Sequence, residues 1–378
     1  MQVLLTNKKG SFDITPLIPT VKWSGDYMQA ARTLDFSIVS SPTDPTIPVV
    51  EIDNGCHVTF KEGETLFSGH IFTRTKTTGS STIALTCYDK GYYLKKNKTI
   101  KKYTGRQPED ITRDLAAEFG FEVGELASTG IQVSRNFITP TSIYDIISTA
   151  YTLASQSNGK KYHIGFRGNK LYVTEKVPND RTLIIQGKSN LIEASVTESV
   201  ADMVNAVAIY DANGNYVRSV ENGEWIKLYG RMQDAVKQTN DDDKAAEAER
   251  LLSEGGPTQK ITIDNLGNIA NITGGTVVVR EPYTGLYGLF YIDSDIHEWK
   301  RGQYYNKLTL NFKALMNEKE AGSLPNADGS KTGGSTDESG SDKLSYINKP
   351  GSGGVVVSTN NSSGSGGDSE YDYTNKPS

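Results

Sequence analysis

The sequence has little of what enzymes and secreted proteins commonly depend on. Only two cysteines and four histidines occur among its 378 residues. Two cysteines exclude a disulfide scaffold and favour folding in a reducing cytosol, and so few histidines argue against a metalloenzyme. No apolar run approaches the roughly 18 residues of a membrane-spanning helix. The apolar stretch at the start is short and its charges follow it, unlike a signal peptide, so we expect a chain that acts in the cytoplasm or leaves by a route other than secretion.

Charge and composition narrow the class of protein further. The 40 Lys and Arg against 45 Asp and Glu give a net charge of −5, which argues against a protein whose main work is binding nucleic acid. The 37 glycines and 20 tyrosines favour strands broken by many turns. At this length, two or three domains with real hydrophobic cores are expected.

The chain also lacks the short motifs of catalysis. It contains no nucleophile elbow, no phosphate-binding P-loop and no kinase signature. Gly274-Gly275 and Gly285–Gly288 have strand neighbours on both sides, which predicts turns rather than a phosphate loop. We therefore expect no catalytic, cofactor-binding or metal-binding residues, no cofactor and no enzymatic activity.

Asp293 and Asp295 are the best candidates for an acid-base pair. They lie two residues apart on a predicted strand, so their side chains face the same side and a glycosidase-like dyad is formally possible. A single strand cannot set the separation that such a dyad needs across a cleft. We therefore predict that both carboxylates lie on a solvated strand face.

The histidines and cysteines offer one further pair each. His57 and His70 fall in predicted strands of the same domain and could approach each other as metal ligands, although neither lies in a zinc-binding pattern. Cys56 and Cys87 also fall in strands that could be neighbours. Because a free cysteine behaves as a small apolar side chain, we predict that the two cysteines belong to a core.

The densest run of charge consists of lysines followed by an aromatic residue, and it comprises Lys95, Lys96, Lys98, Lys101, Lys102 and Tyr103. Three interpretations stay open: a solvated connector between two domains, a contact with a phosphate backbone, and a subunit interface. The solvated connector is the favoured one, because surface charge needs no special explanation.

The hydrophobic pattern predicts an α+β, mainly β, architecture with a helical segment in its middle. Period-two alternation, as in Thr82–Tyr88, predicts strands with one buried face. Helical spacing follows Gln107-Pro108 and again Thr141-Ser142, with Gly120 as a stop signal. Four segments follow: an N-terminal β-barrel at 1–99, a helix-plus-hairpin module at 100–180, a second β-barrel with one helix (about 241–254) at 181–315, and a flexible Gly/Ser-rich tail at 316–378.

Turn signals predict three hairpins within these segments. Glu62-Gly63, Arg167-Gly168-Asn169 and Asn213-Gly214 each separate two alternating runs. Glycine and asparagine accept positive φ, which tight hairpin turns require.

The predicted tail contains a short repeat. Tyr346-Ile347-Asn348-Lys349-Pro350 returns as Tyr373-Thr374-Asn375-Lys376-Pro377, with Val355-Val356-Val357 between the copies. Two interpretations of the repeat stay open. It could be a chance product of drift in a low-complexity segment, or it could be a pair of docking peptides on a flexible tether. In the second case, linking two weak binding sites would raise avidity. The three valines could pair with an edge strand of a partner.

The order of segments, together with several local patterns, resembles one known family. The patterns are Val21–Gly25, Arg32–Phe36, Gly55–Phe60, Leu66–Gly69, Thr86–Asp89, Leu94, the helix Asp110–Gly120 and Asp202–Val207 before an Asn-Gly hairpin. Over about residues 1–315 the chain resembles the XkdQ/YqbQ-type tail proteins of Gram-positive phages and phage-derived particles. These are baseplate hub proteins of contractile tails, related in fold to the late control protein D family.

The resemblance implies a structural role in a virion or phage-tail-like particle, assembled in the host cytoplasm. It implies a homotrimer that joins the sixfold tail tube to the threefold central spike. Further implied partners are the tape measure protein, a LysM-type baseplate protein and the baseplate wedge proteins, with no membrane and with DNA only passing through the lumen. Two alternatives stay open: a cell-wall-degrading or carbohydrate-binding tail component, and another tail tube or baseplate protein.

Overall fold

A computed structural model describes residues 1–41, 44, 46–48, 50–178, 183–239 and 244–325, and it is mainly β, as the sequence predicts. The N-terminal strands are β1 (Gln2–Asn7), β2 (Gly10–Asp13), β3 (Thr20–Asp26), β4 (Thr33–Val39), β5 (His57–Glu62), β6 (Glu64–Lys76) and β7 (Thr82–Asp89). The helical module consists of α1 (Gly91–Lys96), β8 (Lys98–Arg106), α2 (Pro108–Phe119), β9 (Glu122–Leu126), β10 (Val133–Ser142), α3 (Ile143–Asn158), β11 (Tyr162–Arg167) and β12 (Lys170–Glu175).

The remaining elements form the C-terminal part of the sheet and an insert within it. They are β13 (Leu183–Gln186), β14 (Leu191–Ser199), β15 (Ala206–Tyr210), β16 (Tyr216–Glu221), α4 (Gly223–Tyr229), β17 (Gln233–Lys237), α5 (Ala245–Glu254), β18 (Thr258–Leu266), β19 (Thr276–Glu281), β20 (Leu286–Lys300) and β21 (Gln303–Asn311).

The two predicted barrels are instead joined in one sheet, which corrects the predicted architecture. The pairing order is β14-β18-β21-β20-β3-β4-β7-β6-β5-β1-β2, and β13 and β19 branch from β20. Within the described residues this path is open and closes into no barrel. Period-two alternation shows only that a strand has a buried face and does not identify its neighbour, so the pairing of β3 with β20 could not be predicted.

β20 is the strand that both halves share. Its first part pairs with β19 from Leu286 to Tyr291, and its last part pairs with β3 from Ser294 to Lys300. A register shift against β21 separates the two parts, between Ile292 and Ser294. Because a bulge adds one residue, it moves the inward side chains from even to odd positions. Phe290 and Ile292 therefore pack in the C-terminal core, whereas Trp299 packs in the N-terminal core.

The helical module contains the two helices and the hairpin that the sequence predicts, whereas α1, β8, β9 and β10 have no counterpart in that prediction. Ser142 caps α3, because its hydroxyl accepts a hydrogen bond from the Asp145 amide. Gly120 ends α2 with a left-handed φ of 71°, and β11 and β12 form the hairpin predicted around Gly168. None of the helices in the described ranges is long and apolar enough to span a membrane.

The insert between β14 and β18 has a small core of its own. β15 pairs antiparallel with β16, which confirms the Asn213-Gly214 hairpin, and parallel with β17. α5 packs on this sheet through Ala248 and Leu251. The predicted helix at about 241–254 corresponds to α5, with residues 241–243 outside the described ones, and α4 is a second helix that the sequence analysis does not predict.

The segment after β21 crosses the molecule as a strap, which we define as residues 314–325. Met316 is buried in the core of the helical module, and the Asn317 amide donates to the Met28 carbonyl (2.8 Å) and to the Tyr144 hydroxyl (3.0 Å). Ser323 pairs with Asn136 of β10 as an isolated bridge. Residues 316–325 thus have fixed contacts where the sequence predicts the start of a flexible tail, and residues 326–378 lie outside the described ones.

Replacing Asn317 tests whether the strap fastens the helical module to the N-terminal strands. Asn317→Ala removes both hydrogen bonds, including the one at the buried Tyr144 hydroxyl, so we expect the free energy of unfolding to fall by about 1–3 kcal/mol. Urea denaturation measures the change. Glu320→Ala, an exposed position on the same strap, is the control and should stay within about 0.5 kcal/mol. Equal losses in both variants would contradict this role.

Candidate functional site: a buried polar junction

Polar side chains gather where β3 and β20 pair, at the join between the two halves of the sheet. The register sets Asp295 opposite Gly25 and His297 opposite Trp23. Because the bulge in β20 turns odd positions inward, both polar side chains point into the protein, and both are 0% exposed. The loop between β3 and β4 brings Arg32 to the same place. We call this cluster the junction.

Arg32 and Asp295 form its centre. The guanidinium binds the carboxylate with both terminal nitrogens: Nη1 lies 3.1 Å from Oδ1, and Nη2 bonds Oδ2. Thr273 donates to Oδ1 from its amide and from its hydroxyl, each at 2.6 Å. Gly25 leaves room for the arginine, because a Cβ at this position would lie 2.3 Å from Nη1. The Arg32 guanidinium also lies 3.8 Å from the centre of the Trp23 ring, a cation–π contact.

His297 completes the junction in one tautomer. The Asn306 carbonyl oxygen accepts from the Asn268 amide at 2.7 Å, which fixes the orientation of that side-chain amide. Asn306 Nδ2 therefore donates to His297 Nδ1 at 2.9 Å. With Nδ1 as an acceptor, the proton of a neutral imidazole lies on Nε2, and Nε2 is 3.0 Å from Asp295 Oδ2.

These contacts keep the charge of Asp295 in place. Burial by itself raises the pKa of a carboxyl, but the Arg32 guanidinium and the hydrogen bonds from His297 and Arg32 hold the pKa of Asp295 well below its usual range. A carboxylate so tightly engaged is a poor proton acceptor. The arrangement of the junction therefore fits a structural ion pair that holds strands together better than it fits a site for acid-base catalysis.

A second charged pair links the helical module to the same strand. Lys176, just after β12, has Nζ 4.0 Å from Asp293 Oδ1, and both side chains are 0% exposed. Burial lowers the pKa of Lys176 to about 8 and raises that of Asp293 to about 6. Lys176 also lies 5.1 Å above the Tyr27 ring. A cation from the helical module and a carboxylate from the sheet are thus paired in the protein interior.

Asp89 holds the base of the Arg32 loop. Its carboxylate accepts from the Arg32 amide at 3.1 Å and from the Gly91 amide at 2.8 Å, where the chain enters α1. Burial raises the pKa of Asp89 to about 7 despite these hydrogen bonds and the nearby Arg32 charge, which lower it.

The structure overturns the prediction for Asp293 and Asp295. Both are fully buried rather than on a solvated strand face. The sequence shows the i, i+2 spacing, but the arginine and lysine that neutralise these carboxylates come from distant parts of the chain. The pair does not form a dyad, because each carboxylate faces its own cation.

The other sequence candidates fall outside the junction. His57 and His70 are cross-strand partners on β5 and β6 with ring centres 5.2 Å apart, so the two histidines do approach each other. Among the described residues no group of three His, Cys, Asp or Glu side chains could hold a metal ion. Cys87 is buried in the N-terminal core, as predicted, whereas Cys56 lies just before β5 and is a partly buried residue packed against that core.

The lysine run divides between two environments. Lys101 pairs with Glu118 at 2.6 Å and with Asp114 at 3.5 Å. Tyr103 is buried, with its hydroxyl donating to Asp114, so its ring is not available to stack on a nucleic-acid base. Lys95 and Lys96 in the last turn of α1 and Lys98 at the start of β8 are exposed.

Most residues of the junction have no distinctive signal in the sequence. Arg32 and Trp23 stand out only within patterns of family resemblance, and Asn306 and Thr273 not at all. The one available signal is a strand that alternates Asp295, His297 and Trp299 on one side. Polar residues on the same face as a tryptophan indicate a buried polar site.

Comparison with solved structures places the fold among phage tail proteins. The chain superposes on the 43 kDa tail protein of prophage MuSo2 from Shewanella oneidensis with a TM-score of 0.59 and 13% identity, covering 82% of this chain and 97% of that one. A tail protein from Neisseria meningitidis MC58 gives a TM-score of 0.54 at 15% identity, covering 82% and 95%.

The chain belongs to the YQBQ-like family, whose model matches residues 21–311. It is 25% identical over 308 residues to the phage-like element PBSX protein XkdQ of Bacillus subtilis, which covers 79% of this chain and 94% of the relative. It is 24% identical over 291 residues to the uncharacterized protein YqbQ of the same organism, covering 74% and 88%. The family match runs from β3 to the end of β21 and so contains the junction. It also confirms the resemblance given above.

Asp295→Asn tests whether the junction holds the sheet together. The substitution leaves the Arg32 guanidinium buried without its counter-charge, and removing one partner of such a pair typically costs about 3–5 kcal/mol. We expect a loss of this size in the free energy of unfolding, measured by denaturant titration. Glu298→Gln, three residues along the same strand, breaks the partly exposed Lys22–Glu298 pair (3.6 Å) and should cost no more than about 1 kcal/mol. Similar small losses in both would contradict the assignment.

The raised pKa of Asp89 gives a pH dependence with a defined sign. Burial raises its pKa from 3.8 to about 7, so between these pH values the folded protein binds the proton more tightly than the unfolded chain. The contribution of Asp89 to stability therefore falls as pH rises through this window. Between about pH 4 and pH 7, the free energy of unfolding of the wild type should therefore fall by up to about 4 kcal/mol more than that of Asp89→Asn.

Unfolding titrations at intervals of pH measure this difference. Asp211→Asn is the control, because hydrogen bonds lower the pKa of that exposed carboxyl, which places its titration below the window. A wild-type stability that runs parallel to that of Asp89→Asn from pH 4 to pH 7 would contradict the prediction.

Proposed function

We propose that this protein is the structural hub of the baseplate of a contractile phage tail or phage-tail-like particle. In this proposal three copies form a ring that joins the tail tube to the central spike, and the protein is not an enzyme. The family membership and the tail-protein fold support a structural role in a tail or baseplate. The enclosure of the junction also supports it, because Asp295 and His297 are closed to any substrate.

The main observation that supports a ring of three copies is that the sheet is open at both ends. Among the described strands, β14 has one partner, β18, and lies at one end of the path, while β2 has one partner, β1, and lies at the other end. Unpaired strand edges are templates for pairing with another chain. Pairing between unlike edges of successive copies is heterologous, and such contacts generate rings when the rotation closes.

Joining the two halves in one sheet supports the same role. A hub has to hold its tube-facing and spike-facing surfaces in a constant relation. β20 belongs to both halves, and the buried Lys176–Asp293 pair and the strap connect the helical module to them. We infer that the sheet, rather than the helical module, contacts the tube.

Mass measurement and reconstitution test this proposal. The full chain should form trimers in mass photometry, and those trimers should bind both the tail tube protein and the central spike protein when these are added. A sixfold assembly would favour a tube component instead. Turnover of peptidoglycan that a single carboxylate substitution abolishes would favour a cell-wall-degrading tail protein.

An edge-strand variant tests which surface closes the ring. Ile192 on β14 is 55% exposed, and a lysine on an edge strand discourages pairing with another chain. We expect Ile192→Lys to raise the trimer dissociation constant at least about tenfold, which corresponds to about 1.4 kcal/mol, with an unchanged unfolding midpoint for the monomer. Leu228→Lys on α4, where the side chain is 71% exposed, is the matched control. If Ile192→Lys trimerises like the wild type, the β14 edge is not the contact.

A further inference from the structure

A groove beside α1 is a feature of the surface that the hub proposal leaves unused. It has a volume of about 460 Å³ and lies between α1, the loop after β3 and the start of α3. Its lining includes Tyr88, Tyr92, Lys95, Lys96, Lys98 and Asp145. We call it the basic groove.

Positive charge is concentrated along this groove. From Lys90 to Arg106 the chain has seven Lys and Arg and no Asp or Glu, and three of them, Lys95, Lys96 and Lys98, line the groove. Lys95, Lys96 and Lys98 are exposed, and none of them forms an ion pair with another described residue. In a protein with a net charge of −5, such a strip attracts an acidic ligand.

The floor of the groove is aromatic. The Tyr88 and Tyr92 rings stack with their centres 4.7 Å apart at an angle of 16°, and Phe72 supports Tyr92 from 4.5 Å. Lys96 Nζ lies 5.3 Å over the Tyr92 ring. Both tyrosines are half-buried. A rigid platform of this kind suits another aromatic side chain, because ring pairs contribute beyond the area they bury.

Asp145 adds one carboxylate from the first turn of α3. A ligand that fits the whole groove therefore needs acidic groups for the lysines, an aromatic ring for the tyrosine platform and one cation for Asp145.

The same sequence contains a segment with this order of groups. Asp368, Glu370 and Asp372 precede Tyr373, and Lys376 follows three residues later. We propose that the segment from Asp368 to Pro377 binds in the basic groove of its own chain. The earlier copy of the repeat is a weaker match, since Asp342 is the only acid in the four residues before Tyr346 and Lys343 offsets it.

The position of the strap makes this contact reachable. The strap ends on the helical module, where Ser323 pairs with Asn136 of β10, and β10 leads directly into Ser142 at the groove. A Gly/Ser-rich chain of about 50 residues has a root-mean-square span of about 40 Å. Tethering at this distance raises the effective concentration of the segment at the groove. The inference does not rest on the hub proposal.

Photo-cross-linking in the full chain tests the proposal. With p-benzoylphenylalanine in place of Tyr373, irradiation followed by peptide mass spectrometry should place the main cross-links within residues 88–98 and 29–31. Charge reversal at Lys95→Glu, Lys96→Glu and Lys98→Glu together should reduce these cross-links at least about tenfold. Raising the salt concentration from about 0.05 M to 0.5 M should weaken them in the unreversed chain as well, because exposed charges are screened.

Two matched controls make the outcome decisive. Lys8→Glu, Lys76→Glu and Lys300→Glu together reverse the same number of exposed lysines elsewhere and should leave the cross-links unchanged. The same photoreactive residue in place of Tyr346 should label the groove less than the Tyr373 probe does. Cross-links spread over other surfaces, a groove labelled equally after reversal of its lysines, or stronger labelling from position 346 would each overturn the proposal. The salt series keeps the test valid if the reversed variant fails to fold.

Discussion

A charged pair that is largely shielded from water is stable only while both partners are present. This protein has such a pair, Arg32 and Asp295, at the point where its two sets of strands meet. The pair requires Gly25 to leave space, Thr273 to donate two hydrogen bonds and Trp23 to cover the guanidinium. Since these groups come from both halves of the sheet, the pair forms only when the halves are joined in one register.

The bulge in β20 makes that join possible. Without it, the side chains that face the C-terminal core and those that face the N-terminal core would follow one parity along the strand. With it, Phe290 and Ile292 serve one core and Trp299 serves the other. A single strand therefore ties two cores together, which suits a protein whose proposed role is to hold two different assemblies in fixed relation.

The helical module depends on the same strand. Lys176 reaches Asp293 beside the bulge, and the strap returns from β21 to bond Met28 and Tyr144. Contacts distant in sequence thus hold the module against the sheet at two places. The strap also pairs with β10 at Asn136, on the strand that leads to Ser142 at the basic groove.

Local features of the fold could be predicted from the sequence because their causes are local. The Ser142 cap, the Gly120 stop and the hairpins at Gly63, Gly168 and Gly214 each depend on residues a few positions apart. The family resemblance likewise needed only ordered patterns. The outline of the mainly β chain with a helical middle followed from these signals.

The candidate site could not be predicted in this way, because its partners are far apart in the chain. Asp295 looks like a surface residue until Arg32 is placed beside it, and Lys176 looks like a residue of a hairpin end until it meets Asp293. The sequence by itself determined the mainly β class, the helices α2, α3 and α5 and the three hairpin turns, since backbone preference and periodicity act over short distances. Only the tertiary structure decided that two predicted barrels are one sheet and that its carboxylates are buried, because strand pairing and charge neutralisation depend on which distant segments come together.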